Sequence, residues 1–373
     1  MRIALIRGSL LRTWELPNYV IDGAEVTAFA SPRAAAALGA APIPVRTLRS
    51  LGDLRGSLSP RVGGALELVS GSLEYLPGLE RALDGFDIAH PLELPNPCTL
   101  QAVRARERGH CKRVIATVME NIPFRPAANR FVAKRIAETA REVDHFQAIT
   151  QRARLHLRTA GVPDERITTL PLGVDMERFA PAEDARRDGP VRVLTVSRLE
   201  PAKGVEDLVI AAGLLAERGV EIELTLMGNG PLHDRLEWIA GELGIADRVH
   251  LPGGVPWERL HEVYRAHDVF VLASAPTRTW REQFGFALIE AMGCGLPVLV
   301  GDSGSLMEVA GAQERLVRPH DPPALADKLE ALVSDAALRR REGEASRARA
   351  LEHYDQRLIR RRLGELYARV LAG

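Results

Sequence analysis

The sequence predicts an α/β protein built from two Rossmann-like domains, each a parallel sheet covered by helices. Three observations carry that expectation. Short apolar, β-branched runs alternate with helix-forming stretches along the chain, the pattern of a parallel sheet with helices on both faces. The alternation stops at residues 180–190, a stretch of Pro, Gly and charge, and restarts at Val191. A length of 373 residues is long for one domain and comfortable for two. The expected division is 1–180 and 181–355, with a C-terminal helix (about 356–373) able to pack back across the linker onto the first domain.

In the first domain, residues 2–6 read as a buried strand ending at Gly8-Ser9. Further strands are expected at 41–45, 86–90, 114–118, 148–150 and 167–170, with helices at 100–108 and 130–142. Ligands of such sheets bind beyond the carboxyl ends of the strands. Gly8, His90 and Glu120 are therefore placed around one crevice, His90 and Glu120 as candidates for the acceptor side of a reaction. A lone histidine at a strand end also has a purely structural reading. The basic residues between Arg104 and Arg135 read as solvated helix faces, with an anionic acceptor or an anionic membrane surface as the functional alternative.

The second domain opens with a strand at 191–196, followed by Ser197-Arg198-Leu199-Glu200-Pro201-Ala202-Lys203-Gly204 and a helix at 205–217. Arg198 and Lys203, five apart at a strand end, can converge on one diphosphate: arginine offers a planar fork, lysine a compact charge. A departing nucleoside diphosphate gains negative charge, so such cations count most in the transition state. The strand at 222–227 closes on Gly228-Asn229-Gly230, a glycine turn too short for a dinucleotide fingerprint. Residues 249–251 lead into Pro252-Gly253-Gly254-Val255-Pro256, a loop able to lie flat against a base. Strands at 268–272 and 297–300 flank the stretch that organises the chain, and helices at 323–334 and 336–351 finish the domain.

That stretch, 280–297, holds two carboxylates eight apart, Glu282 and Glu290, with Phe284, Gly285 and Phe286 between them. Residues 286–292 read as a helix, since Ala, Leu, Ile, Glu and Met favour it without interruption. Gly285 lets the backbone approach a ligand, and the first-turn N–H groups of the helix attract an anion. Glu290 falls in an apolar run and needs partners; a pair of vicinal hydroxyls would satisfy it. The combination suggests a pocket for a phosphorylated sugar.

Composition narrows the remaining choices. Charged residues are 26% and apolar ones 46%, with 49 basic against 49 acidic side chains, an ordinary soluble balance that argues against a nucleic-acid binder. Cys98, Cys111 and Cys294 are widely spaced, fit a reducing compartment and have no zinc spacing. Residues 1–7 are too short a run for a signal peptide, and no apolar run approaches the roughly 20 residues of a membrane span. A cytoplasmic protein is expected. His261 and His267 lie six apart, the wrong spacing for a zinc helix, and no Asp-x-Asp is present, so no metal site is read.

With these residues in view, the chain resembles the retaining glycosyltransferases of family four, which have the GT-B architecture. The likeness covers almost the whole chain and is strongest in the second half. Glu282-x7-Glu290 is similar to the family's paired-glutamate motif, and Ser197-Arg198-Leu199 with Lys203-Gly204 to its diphosphate-binding element. Leu172-Gly173-Val174-Asp175 is similar to its N-G-V-D segment, with Leu172 in place of Asn. The resemblance implies two Rossmann-like domains with parallel sheets facing across an active-site cleft. It implies that Arg198 and Lys203 hold the donor diphosphate, Glu290 the ribose hydroxyls, Glu282 the transferred sugar, and the backbone of Phe284, Gly285 and Phe286 the sugar and phosphate. Gly228, Asn229, Val255 and Gly8 join the donor-binding candidates. The donor would be a UDP- or GDP-hexose, the acceptor a carbohydrate, lipid or small molecule, with no tightly bound cofactor and no metal. Attack on the front face, assisted by the leaving phosphate, would retain the anomeric configuration. Where many relatives have Gly-Gly this chain has Gly8-Ser9, where many have His it has Met119, and Gln283 replaces the commoner Gly. Two other readings share the layout: a nucleotide-sugar epimerase or phosphorylase, and a non-catalytic nucleotide-sugar-binding subunit.

Overall fold

The computed structural model describes residues 1–53, 74–182 and 189–373; of the expected linker, 183–188 lie outside the described residues. The chain divides into two compact units, Met1–Gly173 with Gln356–Gly373, and Val174–Asp355. Residues 174–180, expected in the first domain, fall in the second unit.

The strands of the first unit are β1 (Arg2–Gly8), β2 (Glu25–Ala30), β3 (Val45–Thr47), β4 (Phe86–His90), β5 (Cys111–Val118), β6 (His145–Ala148) and β7 (Ile167–Thr169). They pair in parallel in the order β3-β2-β1-β4-β5-β6-β7. β1 is buried from its second residue onward, because both faces of the sheet are covered. Several expected strands shift. β5 starts at Cys111, ahead of 114. β3 begins at Val45, not at 41, because Pro42 and Pro44 have no N–H to give a ladder. β6, expected at 148–150, ends at Ala148, because Thr150 is already capping the next helix, Gln151–Thr159, its hydroxyl accepting from Ala153 N at 3.1 Å. The helix expected at 100–108 starts at Pro97, behind the N-cap Asn96.

The C-terminal helix, Gln356–Ala372, belongs to this unit and buries Ile359, Leu363, Leu366 and Tyr367. Its anchor is polar as well as apolar. Arg7 is 1% exposed and donates to Glu15 Oε1 at 2.5 Å, Tyr19 Oη at 2.5 Å and His90 O at 3.0 Å. His90 in turn spends Nδ1 on Tyr367 Oη at 2.6 Å and Nε2 on Thr117 Oγ1 at 2.7 Å.

The second unit holds β8 (Val191–Val196), β9 (Ile222–Met227), β10 (Val249–Gly253), β11 (Val269–Leu272), β12 (Val298–Gly301) and β13 (Leu316–Val317), in the parallel order β10-β9-β8-β11-β12-β13. Each sheet reverses its order once, between β1 and β4 in the first unit and between β8 and β11 in the second. Ligands of open parallel sheets sit at that reversal, beyond the carboxyl ends. The loops leaving these four strands are therefore the ones that bear on function. No helix among the described residues is long and apolar enough to cross a membrane.

Candidate active site

The reversal in the second unit brings the exit loops of β8 and β11 together, and each contributes one charge. Lys203 ends a short 3-10 turn, Pro201–Lys203, just before helix Val205–Glu217. Its Nζ lies 2.7 Å from Glu282 Oε2 and 4.7 Å from the centre of the Trp280 ring. Ser274, two residues past β11, donates its hydroxyl to the same Oε2 at 2.9 Å. Both side chains of the ion pair are only 12% exposed. Gly204 makes the approach feasible: it sits at φ +63, and a Cβ there would lie 2.0 Å from Ala273 O. A Gly204→Ala change is expected to push the two exit loops apart, lowering activity and melting temperature together, which a paired assay and thermal melt would read.

Arg198 shares the β8 exit loop but stands apart. Its side chain is 65% exposed and pairs with Glu200, not with the Lys203–Glu282 group. The loop itself is fixed from β9: Ser197 N donates to Met227 O at 3.0 Å and Leu199 N to Asn229 O at 2.9 Å. Gly228 serves this packing, because a Cβ there would lie 1.9 Å from Ser197 O. Asn229 is exposed, and its amide lies over Gly253 and Gly254, beside the half-open Val255.

Glu290 occupies a separate buried pocket. It lies in helix Phe286–Gly293, which starts from Gly285 at φ +81. Its expected partners were ligand hydroxyls; the protein supplies two donors of its own. Trp257 Nε1–H reaches Oε1 at 3.1 Å and Tyr264 O–H reaches Oε2 at 2.9 Å. Burial pushes its carboxyl up to about 7, against the opposing pull of those hydrogen bonds and of Arg178. Each oxygen keeps a second lone pair for a further donor. Phe284 is 2% exposed and is packing, its ring 4.9 Å from Phe286 and 5.8 Å from Tyr354. What Phe284 and Gly285 can offer a ligand is backbone.

In the first unit the acceptor-side candidates separate. His90 is 0% exposed with both ring nitrogens engaged, and burial with the nearby Arg7 charge holds its pKa well below the ordinary value. It is a structural histidine, and no ring nitrogen remains for an acceptor. Glu120 accepts from Asn121 N and Ile122 N, both at 3.0 Å, and pairs with Arg125. At Gly8, φ is +56 and the exit loop of β1 already holds a carboxylate: Glu74 Oε2 accepts from Ser9 N at 2.8 Å.

Sequence reasoning missed Ser274, Trp257 and Tyr264. Ser274 could have been found from its place just past a strand at a sheet's carboxyl edge. Tyr264 lay hidden between His261 and His267, read only for zinc spacing; His267 spends its nitrogens on Val263 O at 2.7 Å and Thr225 Oγ1 at 3.0 Å.

Comparison with known proteins adds the family context. Residues 177–349 match the family model for glycosyl transferases group 1, and residues 21–178 that for glycosyltransferase family 4. The chain is 32% identical over 299 residues, 75% of each chain, to a GDP-mannose-dependent α-(1-6)-phosphatidylinositol monomannoside mannosyltransferase of Mycolicibacterium smegmatis. It is 30% identical over 277 residues, 72% of this chain and 68% of the relative, to the putative colanic acid biosynthesis glycosyltransferase WcaL of Escherichia coli. Among solved structures, Anabaena HepE in complex with UDP shares the fold, with a TM-score of 0.75 and 19% identity over 99% of this chain and 100% of that one.

Proposed function

Because the chain belongs to glycosyltransferase family 4 and has the GT-B fold of two Rossmann-like units, we propose that it is a retaining hexosyltransferase. It moves a hexose from a nucleoside-diphosphate sugar to an acceptor hydroxyl. One observation carries the reading: Lys203, Glu282 and Ser274 meet at the strand-order reversal of the second unit, the place where a parallel sheet receives its ligand. A donor diphosphate offers Lys203 a stronger partner than one carboxylate. As the ammonium turns to it, Glu282 is released to accept from a sugar hydroxyl, with Ser274 still orienting it. Arg198, free to leave an exposed pairing with Glu200, adds a second cation. These two charges take the role that a divalent ion has elsewhere, so transfer is expected to persist in EDTA. Glu290 accepts from the ribose, and Asn229 with Val255 borders the base.

The donor to try first is GDP-mannose, by likeness to the mycobacterial mannosyltransferase, followed by UDP-glucose. The acceptor is a hydroxyl-bearing carbohydrate, lipid or small molecule, and the basic helix faces of the first unit suit an anionic one. The test is product formation from these donors with a panel of acceptors, the anomeric configuration read by NMR. A product of inverted configuration would refute the retaining mechanism. Epimerised donor in the absence of acceptor would favour the epimerase reading, and tight donor binding with neither transfer nor hydrolysis the non-catalytic one.

A pH prediction follows from Glu290. Only the ionised carboxylate accepts from both ribose hydroxyls, so donor-nucleotide affinity is expected to rise with pH through about 7 and Glu290→Gln to flatten that rise in calorimetric titrations. The stability sign is opposite. Between 4.5 and about 7 the folded protein keeps a proton at Glu290 that the unfolded chain has released, so this group favours the folded state toward the acid end of that window and loses that contribution above it.

A further inference from the structure

The strand-order reversal of the first unit lies between β1 and β4, and the loop leaving β4 carries Glu93, a residue that no role above has used. Four features set it apart. Its backbone is left-handed at φ +65, a conformation that side-chain-bearing residues avoid and that concentrates where function requires it. The strain is held in place on both sides: Glu93 N donates to Thr117 O at 2.8 Å, and Thr99 Oγ1 donates to Glu93 O at 2.6 Å. One carboxylate oxygen is clamped, since Oε1 accepts from Met119 N at 2.8 Å and Glu120 N at 3.1 Å, at the end of β5. The other, Oε2, is shut off from solvent with no hydrogen-bond partner among the described residues. The residue as a whole is half-buried.

An orphaned carboxylate oxygen at a strained position costs stability unless something binds it. His90, at the end of the same strand, is sealed, and Glu120 is spent on its own turn and on Arg125; Glu93 alone of the three has an oxygen left over. We propose that Glu93 is the acceptor-binding carboxylate of this enzyme, its Oε2 accepting a hydrogen bond from an acceptor hydroxyl. The chemistry it selects is a neutral hydroxyl, as on a sugar or polyol, at the point of contact; an anionic group would be repelled there. This rests on the glycosyltransferase reading and adds to it the residue that meets the second substrate.

Ionisation supplies an independent readout. Burial raises the Glu93 carboxyl to about 7, with Glu120 raising it further and the two backbone N–H donors and Arg125 opposing. Only the ionised form accepts at both oxygens, so kcat/KM for the acceptor rises with pH through neutrality.

The variant Glu93→Gln is the test, because a glutamine oxygen keeps the clamp on Met119 and Glu120 while its NH2 group replaces Oε2 with a donor. Wild-type protein with GDP-mannose and UDP-glucose is first screened against methyl α-mannoside, methyl α-glucoside, myo-inositol and glycerol, and the pair that reacts is carried forward. The expected result is an acceptor KM raised about ten- to a hundredfold, the usual cost of a lost hydrogen bond to a charged group. Donor KM and acceptor-free donor hydrolysis should stay unchanged, the melting temperature should hold, and the neutral limb of the acceptor pH profile should vanish. An unchanged acceptor KM overturns the proposal. So does a rise in donor KM accompanied by a fall in turnover and melting temperature, which marks a merely structural residue, and so does a flat acceptor limb in the wild-type pH profile, which excludes Glu93 without any variant. Wild-type protein that neither transfers to any acceptor nor hydrolyses donor fails the glycosyltransferase reading itself.

Discussion

Replacing Lys203 by alanine is expected to lower turnover by roughly two to three orders of magnitude, the range seen when one preorganised charge stabiliser is removed. The argument is electrostatic. Lys203 is only 12% exposed, and its ammonium is held 2.7 Å from Glu282 at the place where the leaving diphosphate would gather charge. An interaction that strengthens as the bond breaks lowers the barrier more than it tightens the ground state. The loss should therefore fall on kcat, with a smaller change in donor KM. The alanine also strands Glu282, which is 9% exposed and keeps Ser274 as a neutral donor. The double variant Lys203→Ala/Glu282→Gln separates the two effects: restored stability with turnover still depressed assigns the loss to the missing cation. Single-turnover kinetics that stay within tenfold of wild type would remove Lys203 from the chemistry.

The second large effect is on stability and belongs to the first unit. Arg7→Leu should destabilise it by roughly 3–5 kcal/mol, the cost of removing one partner from a buried ion pair. The guanidinium is 1% exposed and bonds Glu15, Tyr19 and His90 O. Without it, Glu15 is left as a carboxylate at 5% exposure, with the neutral Tyr19 O–H donating to its Oε1 at 3.3 Å. A unit of this size should melt roughly 6–20 °C earlier. Calorimetry should show the shift in one transition, with nucleotide affinity, which the proposed function assigns to the second unit, retained. A melting temperature within 2 °C of wild type would show that the network is dispensable.

The meeting of Lys203 and Glu282 was legible because short, unusual spacings mark the loops that carry them. Lys203-Gly204 before a helix and Glu282 ahead of Gly285 each mark a loop at a strand's carboxyl edge, and the sheet order does bring Lys203 and Glu282 together. What could not be read was pairing between elements far apart in sequence. Nothing in residues 257–264 marks Trp257 and Tyr264 as the donors that satisfy Glu290. Strand-end position alone made His90 and Glu120 acceptor-side candidates and spacing paired Arg198 with Lys203, although burial seals His90 and Arg198 stands 65% exposed with a local partner. Glu93 escaped notice because its signal is a backbone angle and an unpaired oxygen, neither of which has a sequence pattern. The fold errors have the same origin at smaller scale. Pro42 and Pro44 lie in an apolar run that hydropathy alone reads as strand, and Thr150 looks β-forming until its capping role appears.

The most direct measurement is a calorimetric titration of the intact chain with GDP, UDP and the corresponding free nucleosides, repeated on Lys203→Ala. A site organised around the Lys203 ammonium should bind one diphosphate far more tightly than its nucleoside, and the alanine variant should lose most of that difference. Equal affinity for diphosphate and nucleoside, or an unchanged preference in the variant, would show that these side chains do not form a pyrophosphate site.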